Sequence, residues 1–230
     1  MISENTTREA AERAMKEGNA LLEKRDNEQA LKSFRNAADL YGQIGDRKRQ
    51  ADGLNMTGGI MARMDRADDA LAAFSEVIDL LSKEPKSRQR AMALSNRGLI
   101  LVRQKKFQEA LGCFEDALTQ YQQGNETLRV AEQFGNIGTV YRDLEQPDRA
   151  IEYYQQALVI YHKLDHKERI GDQYTNIAYA RTMQQEPRDA IFWYRQSLSF
   201  YQAAGSEAKI QSAIDNIENL EAATKILCNC

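Results

Sequence analysis

The chain is poor in the residues that staple, kink or ligate. Its 230 residues include three cysteines, three prolines, two histidines and one tryptophan. Three thiols cannot form a disulfide framework, so stability must come from apolar packing, as in a reducing compartment. Cys113 falls inside a helical pattern and reads as a small apolar residue. Cys228 and Cys230 end the sequence as Cys-Asn-Cys and read as a frayed tail. Few prolines leave helices unbroken, and the abundant Ala, Gln, Glu, Leu and Arg favour helix throughout. Apolar runs stay well short of the ~18 residues that a membrane span needs. The opening MISENTTREAAER has no apolar signal core, so the expected location is cytoplasmic, away from membranes. Neither charge sign dominates: 31 basic against 34 acidic residues leave a net charge of −3, which gives no reason to expect nucleic acid as a partner.

Catalytic and metal constellations are equally sparse. His162 and His166 are four apart on one helical pattern, with no cysteine near them in sequence, and a solvated pair is expected rather than a metal edge. A Gly-rich phosphate loop, a serine elbow and a Cys-x-x-Cys pair are all missing from the sequence. The expectation is no enzyme, no cofactor and no metal.

What the sequence has is a period. Set in rows of forty, it aligns Ala30, Ala70, Ala110, Ala150 and Ala190 in one column. Four residues on stand Phe34, Phe74, Phe114, Tyr154 and Tyr194; eleven on, Tyr41, Leu81, Tyr121, Tyr161 and Tyr201. Offsets of 0, 1, 4, 7, 8 and 11 trace one face of an α-helix. A second periodic segment precedes each, with Gly18, Gly58, Gly98, Gly138 and Ala178 in one column, small enough to let two backbones approach. Polar breaks separate the two segments, and Pro147 and Pro187 fall at a helix start, where a missing N–H costs nothing. Gly45, Pro85 and Gly205, with Gly124 one place off, mark the stops between pairs. Each forty residues therefore predict an antiparallel helix pair.

Small residues in the Gly58 and Ala70 columns and an aromatic in the Phe74 column make the chain resemble a tetratricopeptide repeat array. The resemblance covers about residues 11 to 210, in units 11–50, 51–90, 91–130, 131–170 and 171–210. A frayed N-terminus over 1–10 precedes them, a capping helix over 211–227 follows, and a tail over 228–230 closes the sequence. The family's usual tryptophan is replaced by Ala14, Leu54, Leu94, Phe134 and Tyr174, and its late proline is mostly absent. The period exceeds the usual ~34 residues and is similar to that of Pins-like polarity adaptors, kinesin light chains and bacterial signalling-peptide receptors. The resemblance implies an all-α, right-handed solenoid whose first helices line a concave wall. In the cap, Ile214, Ile217, Leu220, Thr224 and Leu227 form one stripe, with Asp215, Glu218 and Glu221 opposite.

Binding residues are sought on the first helices. Asn96, Asn136 and Asn176 recur two residues before the glycine column, and Asn216 continues the column into the cap. A carboxamide both donates and accepts, so it can bind the backbone of an extended peptide whatever its side chains; the resembled families use an asparagine here in that way. The other reading is that each Asn only fixes the stacking of neighbouring helices. Leu99, Arg103, Thr139, Arg142, Tyr179 and Met183 are expected beside them, with Glu132 and Asp172 on the leading edge. Arg63, Arg103 and Arg142 could pair a carboxylate. A chaperone-type dicarboxylate clamp fits poorly, because Met15 and Met56 stand where a lysine and an asparagine are needed. The expected role is an adaptor for a protein or peptide partner. The alternatives are a scaffold that self-associates into a homo-oligomer through Tyr153, Phe192, Trp193 and Phe200, and a sensor of a short signalling peptide.

Overall fold

The forty-residue period folds as a succession of helical hairpins. The computed structural model describes residues 4–84 and 86–228, with side chains up to residue 225. Among the described residues there are eleven α-helices and no strand. Pro85, Cys230 and the side chains of Leu227 and Cys228, all given roles above, lie outside that description. Two units can be distinguished, Met1–Gly124 and Asn125–Cys230.

The first unit contains α1 (Glu4–Glu23), α2 (Asn27–Gln43), α3 (Arg47–Arg63), α4 (Ala67–Leu80), α5 (Arg88–Arg103) and α6 (Phe107–Gln123). The second contains α7 (Thr127–Asp143), α8 (Pro147–Lys163), α9 (Lys167–Met183), α10 (Pro187–Ala204) and α11 (Glu207–Cys228). First helices begin at Arg47, Arg88, Thr127 and Lys167, ahead of the 51, 91, 131 and 171 drawn from the columns. The columns record where side chains are buried, whereas a helix starts at its cap. Asp46 and Ser87 supply such caps, accepting the backbone N–H of Arg49 and of Arg90, each at 3.2 Å. At the start of the chain α1 already runs from Glu4, inside the stretch expected to fray. Pro147 and Pro187 occupy the first turn of α8 and α10, as anticipated.

Inside each hairpin the chain reverses through one residue in the left-handed region. Arg25, Asp65, Lys105, Glu145 and Gln185 hold it, with φ between 57° and 61°. The N–H of Lys105 reaches Val102 O and that of Lys106 reaches Leu101 O, both at 2.9 Å, closing the last carbonyls of α5 in a Schellman turn. None of the five is glycine, so each accepts about 1–2 kcal/mol of backbone cost for a charged or polar surface at the turn. Between hairpins the same conformation falls to Gly45 and Gly205, and to Asn125 and Asp165; Gly124 itself is a right-handed cap.

Each of the first four hairpins is closed by a ring set against a missing side chain. A Cβ placed on Gly18, Gly58, Gly98 or Gly138 would lie 2.6–2.8 Å from the ring of Phe34, Phe74, Phe114 or Tyr154 in the same hairpin. Glycine is thus required for an aromatic to fit beneath the first helix, more than for backbone contact. All four rings are fully buried, each stabilising the fold by roughly 1.5–3 kcal/mol through area removed from water. In the first unit, Leu54, Phe74, Val77, Leu81 and Ile100 form one cluster and Ala30, Leu31, Phe34 and Ile60 another. Cys113 is buried, and that burial raises its thiol above the usual range, as suits a packing residue.

At the end of the second unit, Ala178 and Tyr194 pack with Ile217 of α11. Ile217 is buried, Ile214, Leu220 and Thr224 are half-buried, and Asp215 and Glu218 face outward. Glu221 of the outer set is drawn instead onto Arg195 of α10 at 2.7 Å. No helix among the described residues is long and apolar enough to cross a membrane.

Candidate functional site

The first helices present the same three-residue face in successive hairpins. On α5 it is Asn96, Leu99 and Arg103; on α7, Asn136, Thr139 and Asp143; on α9, Asn176, Tyr179 and Met183. Spacings of three and seven keep each triplet on one stripe of its helix. The carboxamides of Asn96, Asn136 and Asn176 are half-buried, and none has a hydrogen-bond partner among the described residues. Asn216 behaves differently: its Nδ2 donates to Ser212 O at 2.8 Å within α11, so its donor is already engaged by its own helix.

In the first unit the α3 and α5 faces form a groove of about 670 Å³. Gly59, Arg63, Asp65, Phe74, Asn96, Leu99 and Arg103 line it. Leu99 is 45 % exposed there. Among the described residues neither Arg63 nor Arg103 has an ion-pair or hydrogen-bond partner, although most arginines of the chain do. A Cβ on Gly59 would meet nothing within 4 Å, so the floor of the groove is open at that point.

In the second unit the corresponding polar groups are tied to one another. Arg142 donates to Asp143 from Nε at 2.9 Å and Nη2 at 2.7 Å, and lies 5.4 Å from the ring centre of Tyr179. The Thr139 hydroxyl donates to Gly135 O at 3.0 Å and accepts from the Tyr154 hydroxyl at 3.4 Å. Glu132 pairs with Arg129 at 2.8 Å. Asp172 accepts from Lys209 at 2.7 Å and from the Tyr201 hydroxyl at 3.0 Å. Asp172 therefore joins α11 to α9, and its role is in stacking rather than on an open face. Tyr179 remains 50 % exposed and Met183 half-buried, which leaves an apolar strip beside Asn136 and Asn176.

The Asp172–Lys209 join has a counterpart at the start of the chain. Arg49 of α3 reaches Glu12 of α1 at 2.7 Å and lies over the Tyr41 ring, as Lys209 lies over Tyr201. In both places a cation from the next first helix bridges to an acid on the previous one across a tyrosine. This device escaped sequence reading, because its partners are 37 residues apart rather than forty.

Three of the four self-association candidates, Tyr153, Trp193 and Phe200, are half-buried against aromatic neighbours of the same chain. Tyr153 stacks on Tyr141 with ring centres 5.4 Å apart, and Trp193 stacks on Tyr174 at 5.5 Å. Phe200 packs on Tyr174 and on His162, both at 5.6 Å. Phe192 is exposed, at 53 %, with its edge on Trp193. His162 contacts the Tyr174 hydroxyl at 3.2 Å, whereas His166, at the N-cap position of α9 but without a side-chain capping bond, faces the Tyr161 ring, so the two imidazoles have separate partners. Gln133 and Gln173, buried on α7 and α9, each hold a carbonyl oxygen with no partner among the described residues. Nothing in their residue type signals that burial.

A family model described as tetratricopeptide repeat matches residues 49–123, 89–161 and 129–203. Among solved structures the chain is similar to the apo form of RapI, at 16 % identity and a TM-score of 0.79 over 95 % of this chain and 85 % of that one. It is also similar to a Podosopora anserina putative kinesin light chain with nearly identical TPR-like repeats, at 10 % identity and 0.70, over 85 % and 96 % of the two chains. A third likeness is to a signal-transduction ATPase with a tetratricopeptide repeat sensor from Pyrococcus horikoshii, at 12 % identity and 0.80, over 92 % of this chain and 32 % of that one. At such identities the likeness concerns the fold. No curated protein sequence matches the chain.

Proposed function

Because the chain belongs to the tetratricopeptide repeat family, whose stacked hairpins offer extended binding surfaces, we propose that it is a protein-interaction module holding an extended peptide segment of a partner on its first-helix faces. The observation that carries this reading is that the carboxamide of Asn96 in the first unit, and those of Asn136 and Asn176 in the second, are half-buried and without a partner among the described residues. A group of that kind left idle in a helix interior is a poor choice for stability, since Asn is a mediocre helix former. A peptide backbone would satisfy it, donor to acceptor and acceptor to donor. Leu99 and Tyr179 beside the carboxamides would receive apolar side chains and so supply selectivity. No chemical step is involved.

The test is a pull-down from the source cells with wild type and with the Asn136→Ala/Asn176→Ala variant, followed by calorimetry on the partner segment that depends on them. Two backbone hydrogen bonds lost from the complex weaken it by about 5- to 100-fold, with helicity by circular dichroism unchanged. Equal binding by both proteins rejects the reading. A signalling-peptide sensor would use the same faces, as the sensor role named for the Pyrococcus horikoshii protein suggests. Self-association finds less support, because Tyr153, Trp193 and Phe200 already pack within the chain; light scattering across concentration separates it from a monomer.

A further inference from the structure

The geometry points to an acidic occupant for the α3–α5 groove: we infer that Arg63 and Arg103 receive the side-chain carboxylate of an Asp or Glu two residues from an apolar residue in the partner's extended segment. The inference rests on the reading above and adds the chemistry of what is bound. Two guanidiniums line the groove against the one carboxylate of Asp65, so its charge is unbalanced toward positive. Neither guanidinium is ion-paired among the described residues, whereas Arg142 and Arg181 on α7 and α9 are held by Asp143 and Glu186. Both arginines are exposed and line the groove, and an unpaired guanidinium fork there is suited to bidentate capture of a carboxylate.

The spacing on α5 sets the order of the ligand. Asn96 would fix the backbone, Leu99 lies one turn on and Arg103 one turn further. A segment tied to Asn96 and running along α5 brings an apolar side chain to Leu99 and the next outward side chain to Arg103. The bare backbone of Gly59 opens the groove floor opposite them, and the Phe74 ring closes its base. Placed in this way the acid is a side chain of the segment, and affinity kept on C-terminal amidation distinguishes it from a terminal carboxylate.

Random dodecapeptides displayed on phage are panned on the whole chain, and the selected sequences are made as fluorescein-labelled, C-terminally amidated peptides for anisotropy. The expected peptides carry Asp or Glu two residues from an apolar residue, the spacing at which side chains of an extended segment share a face, and keep their affinity when amidated. Arg63→Glu and Arg103→Glu each weaken them by about tenfold or more, in line with reversing a charge at a partly desolvated pair. A peptide with Lys in place of the acid regains affinity on the Arg103→Glu variant. Gly59→Leu, whose Cβ would meet nothing within 4 Å, places bulk on the open floor and weakens binding while circular dichroism is unchanged. Selected peptides without an acid, acidic peptides bound equally well by both reversed variants, or affinity lost on amidation overturn the inference. So does a single-stranded oligonucleotide that displaces the peptide equally well, which would make the groove a site for polyanions. Peptides that depend on Asn136 and Asn176 but not on the arginines sink the acidic occupant alone. A library that gives no peptide sensitive to any of these residues sinks the underlying reading as well.

Discussion

The two units use one scaffold and finish their first-helix faces in opposite ways. Seven residues after the asparagine position the first unit has Arg63 and Arg103, while the second has Asp143 and Met183. Asp143 binds its neighbour Arg142, and Met183 carries no charge, so the second face is neutral and partly apolar. The socket ring differs in step: Phe34, Phe74 and Phe114 in the first unit, Tyr154 and Tyr194 in the second. The hydroxyl of Tyr154 reaches up to Thr139, whose counterparts on α3 and α5 are Gly59 and Leu99, neither with a polar side chain. Asn136 and Asn176 apart, the polar groups on the second unit's face thus satisfy each other, whereas Arg63 and Arg103 in the first unit's groove have no partner among the described residues. A repeat architecture lets adjoining stretches of one surface differ in chemistry without any change of backbone.

The sockets offer the hardest test of that shared scaffold. Phe74→Ala is expected to cost about 3–5 kcal/mol in urea denaturation, because the ring is fully buried against Gly58. Gly98→Ala is the converse: its methyl would lie 2.6 Å from Phe114, and overpacking of this sort costs about 1–3 kcal/mol. The fifth hairpin already holds Ala178 over Tyr194. If Gly98→Ala proves neutral in thermal melts, the glycine column is not a steric necessity and the socket account fails.

Much of this was legible from the columns, and the remainder was not for definable reasons. Periodicity named the buried faces, since burial recurs every forty residues. It did not show that the glycine and ring columns meet each other, because columns carry no information on which pairs of them touch. Asp172 was misplaced onto the groove edge because its partner Lys209 sits off the period and on the cap. Trp193 and Phe200 looked available for a second copy of the chain, and only coordinates reveal that Tyr174 and His162 cover them. Arg142, expected to offer its guanidinium to a ligand carboxylate, is instead taken up by Asp143, its neighbour in sequence.

Smaller effects sharpen the contrast. Tyr154→Phe removes the bond to Thr139 and is expected to cost about 0.5–1.5 kcal/mol. Phe74→Tyr, pointing a hydroxyl toward the open groove, is expected to cost less; paired urea titrations rank the two, and the reverse order would undo the distinction between the faces. The smallest effect concerns the α9–α11 join. The hydrogen bond from Lys209 holds the Glu168 carboxyl below its ordinary value. A carboxyl with a lowered folded value contributes stability above its ordinary range and loses it as pH falls through the folded value. Lys209→Met should therefore show a slightly lower melting temperature at neutral pH, a gap that narrows as the pH falls below about 4.5. A gap independent of pH would mean that the lysine acts through its alkyl stem on Tyr201.

Because each ring and the glycine that admits it belong to one hairpin, lock and key travel together in a single cassette of forty residues. Such a cassette can be duplicated, spliced out or moved along the array without rewriting its neighbours, and its outward stripe can then diverge freely. An array grown in that manner lengthens its reach by whole notches and acquires a new taste at each one.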